Sequence, residues 1–254
     1  MRKLWLGSVG LAALVASAHV ATGCANAADM APNPYGSSYS WTGLYVGGHV
    51  GGGWDNRDVG LFNTSTGDKI GIGKTKASGF LGGGQIGLDY QVGPNWVVGI
   101  EADVSAADLK STAFNNSGSV NISTGSVQHD STIDLFGTVR GRVGYAWSNA
   151  LLFGSGGFAW ANEDVTRTQV QGTYAQATPG TVEKASGTGK GWTAGGGLEW
   201  GFAQNWSARI EYLHVEIGAE SFVFPLAHVR NDAKVTMDIA RFGVNYRLGG
   251  GTRY

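Results

Sequence analysis

The chain has 254 residues, of which 42% are hydrophobic and 15% charged, with 18 Lys and Arg balanced by 19 Asp and Glu. That balance excludes nucleic acid as a partner, since binding it requires a basic surface, and the single cysteine, Cys24, excludes a disulfide framework. The 43 glycines would suit disorder, but 9 tryptophans and a sustained alternation of apolar and polar residues argue for a folded all-β chain.

Residues 1–27 read as an export signal. Arg2 and Lys3 precede an apolar stretch from Leu4 to Ala18, and Ala25-Asn26-Ala27 is a small-x-small cleavage site ahead of Ala28-Asp29. The stretch falls short of the roughly 18 apolar residues that a membrane-spanning helix needs, and nothing later in the chain reaches that length. Cleavage there removes Arg2, Lys3 and Cys24 but no acidic residue, leaving the mature chain mildly acidic. A competing reading is lipoprotein processing at Ala21-Thr22-Gly23-Cys24, with Cys24 acylated, although such sites usually carry Leu or Val where this chain has Ala21. Residues 28–40 form a leader rich in Pro and Ser.

Eight strands are then predicted from residue 41 to 248. The first, about Thr42 to Trp54, sets Leu44, Val46, Val50 and Trp54 on one face and Tyr45, Gly47, His49 and Gly51 on the other. The second, about Ala77 to Gln91, sets Phe80, Ile86, Leu88 and Tyr90 against Gln85, Gly87 and Asp89. A tight turn, Val92-Gly93-Pro94-Asn95, leads into the third, about Asn95 to Val104, where Trp96, Val98, Ile100, Ala102 and Val104 oppose Glu101 and Asp103. The fourth, about Ser131 to Ala146, alternates Ile133, Leu135, Val139, Val143 and Tyr145 with Asp134, Thr138, Arg140 and Arg142. In the fifth, about Ala150 to Asn162, the facing stays open because Leu151, Leu152 and Phe153 are consecutive. The sixth, about Gly191 to Phe202, sets Trp192, Ala194, Leu198, Trp200 and Phe202 against Thr193, Gly195, Gly197 and Glu199. The seventh, about Trp206 to Ile217, sets Trp206, Ala208, Ile210 and Tyr212 against Arg209 and Glu211. The last, about Val235 to Leu248, sets Phe242, Val244, Tyr246 and Leu248 against Arg241, Asn245 and Arg247. Gly249-Gly250-Gly251 leaves open whether 249–254 is a tail or the end of that strand.

The connections alternate in length, about four residues after strands two, four and six and roughly 20 to 30 after the others, the layout of transmembrane barrels with short periplasmic turns and long external loops. Gly-Pro-Asn-Trp at 93–96 and Ala-Gln-Asn-Trp at 203–206 each lead into a Trp-x-x-x-Ile-Glu strand, a weak internal repeat. A water-soluble barrel of the lipocalin kind would show the same alternation with its apolar face inward. An eight-stranded interior is just wide enough to be filled by side chains, so packing these aromatics inside would overfill it. The opposite face carries small residues, Gly47, Gly83, Gly87, Gly99, Gly195, Gly197 and Gly243, which suit a crowded lumen. Trp41, Trp96, Trp147 and Trp206 fall at one set of strand ends, and Trp54, Trp160 and Trp192 near the other, as two membrane interfaces select. The expected fold is an eight-stranded antiparallel up-and-down transmembrane barrel in the outer membrane of a Gram-negative bacterium.

Trp41-Thr42-Gly43-Leu44-Tyr45-Val46-Gly47-Gly48 after an Ala-Asp-Met leader, Gly-Gly-Gly-Gln-Ile-Gly at 82–87 and the closing Arg241-Phe242-Gly243-Val244-Asn245-Tyr246-Arg247 resemble the outer-membrane immunogenic protein family of alphaproteobacteria, also called opacity-type or porin-family proteins. The resemblance spans the mature chain and implies a small eight-stranded barrel used as an abundant envelope and surface protein. It implies location more firmly than activity.

The lumen face offers Asp89, Glu101, Asp103, Asp134, Glu199 and Glu211 with Arg140, Arg142, Arg209 and Arg241. Paired carboxylates invite a glycosidase reading, but an eight-stranded barrel leaves no cleft for a sugar chain. Mixed signs in a narrow interior point instead to mutual neutralisation and a plug. His214, on the apolar face with Glu216 two residues on, suggests a lipid-facing pair that could hydrolyse a lipid ester, yet no serine motif accompanies it. His49, His129 and His228 lack metal-ligand spacing, so neither metal nor cofactor is expected, with haem or metal capture by loop histidines left open as the alternative. All seven mature lysines (69, 74, 76, 110, 184, 190, 234) fall in the predicted long loops or at their junctions with strands. Lysine's hydrated ammonium suits solvent or phosphate, so either a solvated surface or a fringe meeting lipopolysaccharide explains them, with Lys74, Lys76, Lys110, Lys190 and Lys234 as the fringe. The reading is a structural and surface-interaction barrel, not an enzyme, in contact with outer-membrane lipid. A narrow pore and a lipid-modifying enzyme are the alternatives, and a ligand for the loops and the oligomeric state stay open.

Overall fold

The computed structural model describes residues 39–116, 126–173 and 175–248. The export signal, Cys24, the leader as far as residue 38 and the segment 249–254 lie outside the described residues. The fold is an eight-stranded antiparallel barrel in which each strand pairs with the next and the last returns to the first. The strands are β1 (Gly43–Asn63), β2 (Lys69–Val92), β3 (Trp96–Asn116), β4 (Ser126–Trp147), β5 (Ala150–Gln169), β6 (Val182–Ala203), β7 (Trp206–Phe224) and β8 (Val229–Leu248).

The lower end is set by the tight turns β2–β3, β4–β5 and β6–β7. Gly93 takes a positive φ of 71° in the first of these, a conformation that glycine adopts without a side-chain clash. An asparagine laces each turn to the strand beyond: Nδ2 of Asn95 donates to the Ala146 carbonyl at 2.7 Å, that of Asn149 to Gly201 at 3.0 Å, and that of Asn205 to Arg247 at 3.0 Å. The two Asn-Trp turns also carry the same aromatic pair, with Trp96 meeting Tyr145 at 5.6 Å and Trp206 meeting Tyr246 at 5.0 Å. The internal repeat is therefore one hairpin used twice.

Over the lower half the outer wall is apolar, with Leu44, Ile86, Ile100, Val143, Leu198, Ile210 and Phe242 all pointing away from the lumen. Leu152 faces out while Leu151 and Phe153 face in, which settles the facing of β5. Trp54 and Trp192 mark the upper limit of this band, and Trp160 lies across Gly137 opposite it on β4, where a Cβ would strike the indole.

Two expectations need correction here. Trp41 is not on the outer wall: it lies ahead of β1, is fully buried, and turns into the lower mouth beside Tyr39 at 4.6 Å. Gly43, with φ of 138°, supplies the bend that sends it inward. Asp134 is not in the lumen. A bulge between Ile133 and Leu135 shifts the β4–β5 register, so Ile133 and Phe136 point in and Asp134 points out.

The long loops are also a correction. Most of that sequence is strand: among the described residues the upper connections are 64–68, 170–173 with 175–181, and 225–228, while 117–125 of the predicted loop after strand three lies outside the described residues. The reason is an inversion of polarity above Trp54 and Trp192. Asn56, Asp58, Lys76, Lys110 and Lys190 face outward, whereas Leu109, Ile217, Phe222 and Val235 are buried inside. A strand with a polar outer face and scattered inner apolar residues among Ser, Thr and Gly has the composition of a loop.

The ring also changes character at that level. The β2–β3 ladder ends at Ser78↔Lys110 and the β6–β7 ladder at Gly191↔Ile217, while the other six continue upward. Their highest pairs include Phe62↔Lys69, Asn116↔Ser126, Thr168↔Val182 and Phe224↔Val229. Two four-stranded sheets, β7-β8-β1-β2 and β3-β4-β5-β6, thus face one another over an apolar filling. Leu81, Leu213, Val215, Met237 and Ile239 from one sheet pack with Leu109, Ile133, Phe136, Ala159 and Ala161 from the other. Higher still, Phe222, Phe224, Val229 and Ala233 pack with Val165 and Ala177.

Leu213→Ala should lower the unfolding free energy by about 2–5 kcal/mol, because it opens a cavity in this filling. Ile210→Ala, one turn of the pleat below and facing outward, should cost much less. Urea midpoints of the two variants in detergent check the difference, and equal losses would contradict the inward placement of Leu213.

Candidate functional site

Within the closed half of the ring, strict alternation sends one set of side chains inward, and that set is ionic. Five carboxylates, Asp89, Glu101, Asp103, Glu199 and Glu211, meet five guanidiniums, Arg140, Arg142, Arg209, Arg241 and Arg247, all buried. Glu101 on β3 is the hub: it pairs with Arg140 and Arg209, accepts a hydrogen bond from the Tyr45 hydroxyl at 2.6 Å, and lies 3.6 Å from Arg241. Glu211 on β7 takes Arg140 at 2.5 Å and Arg241 at 2.7 Å. Asp103 takes the same two arginines at 3.1 Å each and the Thr138 hydroxyl at 2.5 Å. Nearer the lower end, Arg142 reaches Glu199 at 2.9 Å and Arg247 reaches Asp89 at 3.1 Å, while Ser207 and Asn245 donate to Glu199 at 2.6 and 3.1 Å. An isolated ion in this interior would be far more costly than a paired one, so equal numbers of each sign are the condition for burying any of them. Gly87 and Gly99 make room for the network, since a Cβ there would collide with the Tyr45 ring and the Asp89 carboxylate.

Further layers lie below and above. Arg247 donates to the Trp41 carbonyl at 2.5 Å with the Trp41 and Tyr45 rings at 5.6 and 5.1 Å, which fills the lower mouth. His49 stands over the network between Gln85 at 2.5 Å and Ser105 at 2.7 Å. Above the apolar filling, Arg57 holds Asp55 at 2.7 Å and Glu163 at 2.5 Å. At the top, the turn 225–228 is tied to two other connections. Gln176 N–H donates to Leu226 O and Thr64 N–H to His228 O, both at 2.9 Å, and Leu226 N–H donates to Glu183 Oε1 at 2.7 Å.

The structure brings nine of the residues singled out for the lumen into this network: Asp89, Glu101, Asp103, Arg140, Arg142, Glu199, Arg209, Glu211 and Arg241. Asp134 stays outside, for the reason given above. Arg247 joins them, as its shared parity with Arg241 allows. Asp55 and Arg57 were hidden because their stretch has a loop-like composition, although they keep the inward parity of Gly51 and Gly53. Lys74, Lys76, Lys110, Lys190 and Lys234 lie on strands rather than loops, on the outer wall above the tryptophans. Three of these lysines have acidic neighbours: Lys74 with Asp58 at 3.3 Å, Lys110 with Asp108 at 2.6 Å and Lys234 with Glu216 at 2.7 Å. The carboxylate beside His214 is therefore not Glu216 but Asp238 of the neighbouring strand, at 2.8 Å, with Trp192 at 5.7 Å. Among the described residues no group of His, Cys, Asp and Glu has an arrangement that could hold a metal ion.

Comparison with known proteins adds a family. Residues 11–247 match the family described as outer membrane protein beta-barrel domain. The chain is similar to the 31 kDa outer-membrane immunogenic protein of Brucella melitensis biotype 1, with 29% identity over 217 residues covering 83% of this chain and 85% of that one. It is also similar to the 25 kDa outer-membrane immunogenic protein of Brucella abortus biovar 1, with 27% identity over 218 residues covering 86% and 84%. Among solved structures, the outer membrane protease OmpT from Escherichia coli aligns with a TM-score of 0.51 at 8% identity, over 81% of this chain and 97% of that one, a likeness of fold alone.

His129 titrates in the upper sheets, well above the tryptophan ring. Burial, with the Arg167 cation adding to it against Asp130, lowers its pKa from 6.5 to about 4. Its ring sits 6.3 Å from that of Phe224. A base whose folded pKa is depressed takes up its proton more readily when unfolded, so its contribution is intact above about pH 6.5 and is lost progressively toward pH 4. His129→Gln should flatten that part of the stability curve, as measured by urea unfolding at pH 7, 5.5 and 4.5. A variant as acid-sensitive as the wild type would contradict the burial of this imidazole.

Proposed function

From the premise that the chain belongs to the outer membrane protein beta-barrel domain family and lies in the outer membrane of a Gram-negative bacterium, we propose that it is a sealed scaffold. In this reading the lower half anchors in lipid and the upper sheets stand outside the cell as a rigid surface for interaction. The observation that supports it is the succession of buried side chains along the lumen, from Trp41 through the ionic network and the apolar filling to the Arg57 cluster. Short turns belong to the periplasmic side in barrels of this kind, which puts the upper sheets outside. In this reading His214 is an interfacial polar residue: its imidazole pairs with Asp238 at 2.8 Å and lies beside Trp192, and Glu216 pairs with Lys234.

The wild-type protein in a planar bilayer should show no steady conductance. Arg140→Ala combined with Arg209→Ala should destabilise the barrel yet leave it silent, because the layer of Leu109, Leu213 and Met237 above the network is untouched. Large, stable wild-type conductance would replace the scaffold with a pore.

The outward lysines form the second part of the proposal, as a fringe that meets lipopolysaccharide phosphates just above the apolar band. Lys76 and Lys190 make no ion pair among the described residues and are the ones most free to do so. Lys76→Gln with Lys190→Gln should weaken lipopolysaccharide association at low salt, and the difference should vanish near about 1 M salt, where the screening length is about 3 Å. Unchanged association at low salt would return these lysines to simple solvation.

A further inference from the structure

The wall opens along β6 and β7 where the two upper sheets separate, and the hydrogen-bonding pattern shows which groups are left over. β5 and β6 pair in one uninterrupted register from Ala150↔Trp200 to Thr168↔Val182. At one end Gly201 N–H donates to Asn149 O at 2.8 Å, and at the other Gln169 N–H donates to Thr181 O at 2.9 Å. Directly opposed residues that exchange bonds alternate along an antiparallel ladder, so the odd-numbered residues of β6 bond to β5 throughout. The even-numbered ones, Lys184, Ser186, Thr188 and Lys190 among them, aim their N–H and C=O toward β7. Below the opening β7 receives them, as at Trp192↔Glu216 and at the Lys190 carbonyl, which faces Gly218, but above Gly191↔Ile217 no ladder joins the two strands among the described residues. A bulge between Ile217 and Glu220 carries β7 away at that point.

We propose that the free edge of β6 over residues 182–188 is a docking strand for an extended, acidic segment of an extracellular protein, taken up by strand addition. A row of unpaired backbone donors and acceptors is matched only by another extended backbone. The even positions also place their side chains outward, so Lys184 and Lys190 flank Ser186 and Thr188 along the edge, all four exposed. An incoming strand with acidic residues on its outer face meets both lysines. A second copy of this chain, docking edge to edge, would set lysine against lysine. On the inner side β7 side chains lie against the strand: a Cβ at Gly187 would lie 3.0 Å from Glu220 Cγ, 3.1 Å from its carboxylate and 3.1 Å from the Phe222 ring, so the inner face of an incoming strand must be small and uncharged. The inference rests on the scaffold reading, in that the upper sheets must be outside the cell.

The test uses the full-length protein in liposomes and a synthetic peptide of about ten residues alternating Glu with Val. Binding of this peptide, with tenfold or more loss when Glu is exchanged for Lys, is the expected result. Ser186→Pro with Thr188→Pro removes N–H groups that face the opening and none that bond to β5, and should abolish binding, whereas Ser186→Ala with Thr188→Ala should preserve it. The same peptide N-methylated at alternate residues should also fail to bind the unaltered protein, which keeps the test decisive if the proline variant does not fold. Equal binding of the N-methylated peptide, or no binding of any peptide, would overturn the proposal. Either result with a silent bilayer recording would leave the sealed scaffold standing.

Discussion

The constraint on which this molecule depends is that hydrocarbon offers no partner to a backbone N–H or C=O. Each strand must therefore be paired on both sides for as long as it is in lipid. The ladders obey that limit closely. β2–β3 pairing ends at Ser78, the residue opposite Trp54, and β6–β7 pairing ends at Gly191, next to Trp192. Both tryptophans belong to the upper aromatic level, so the ring is complete through the apolar band and parts where water can take over the bonding. The two sheets above it are the same strands continued under a different solvent.

The same change of solvent explains the inverted polarity. In the lower half the outer face must be apolar, so the only place for charge is inside, where five carboxylates and five guanidiniums are tolerated because they pair with one another. In the scaffold reading the outer face of the upper half meets water and the hydrophobic effect drives apolar side chains inward, giving the filling of Leu109, Leu213, Met237 and their neighbours. A lumen with ionic and apolar layers in series follows from one alternating pattern crossing one boundary. The Arg57 cluster is a second, smaller instance of the ionic rule within the apolar region, with Asp55 and Glu163 both on one guanidinium.

How much of this was legible in the sequence varied with depth. In the bilayer, apolar and ionic residues alternate without ambiguity, and the strand order, the lower turns and most of the network could be read from parity alone. Asp134 could not, because a bulge one residue away reverses its side and nothing in the local composition announces a bulge. Trp41 carries the same residue type as the wall tryptophans, and only the bend at Gly43 distinguishes an inward from an outward ring. The upper strands read as loops in the sequence because their outer residues are those of loops. The inward parity of Gly53, Asp55 and Arg57 was the signal available. The splitting of the ring had no local signature, since it depends on which ladders reach past the boundary.

The most direct test of the account is a depth scan by site-directed spin labelling along β8 in liposomes, comparing relaxation by oxygen, which concentrates in lipid, with relaxation by a water-soluble nickel complex. Labels at Phe242 and Val244 should respond to oxygen, labels at Thr236 and Lys234 to nickel, and a label at Met237 weakly to both. A lipid-like response at Thr236, or strong nickel access at Met237, would contradict the claim that polarity inverts at the level of Trp54 and Trp192.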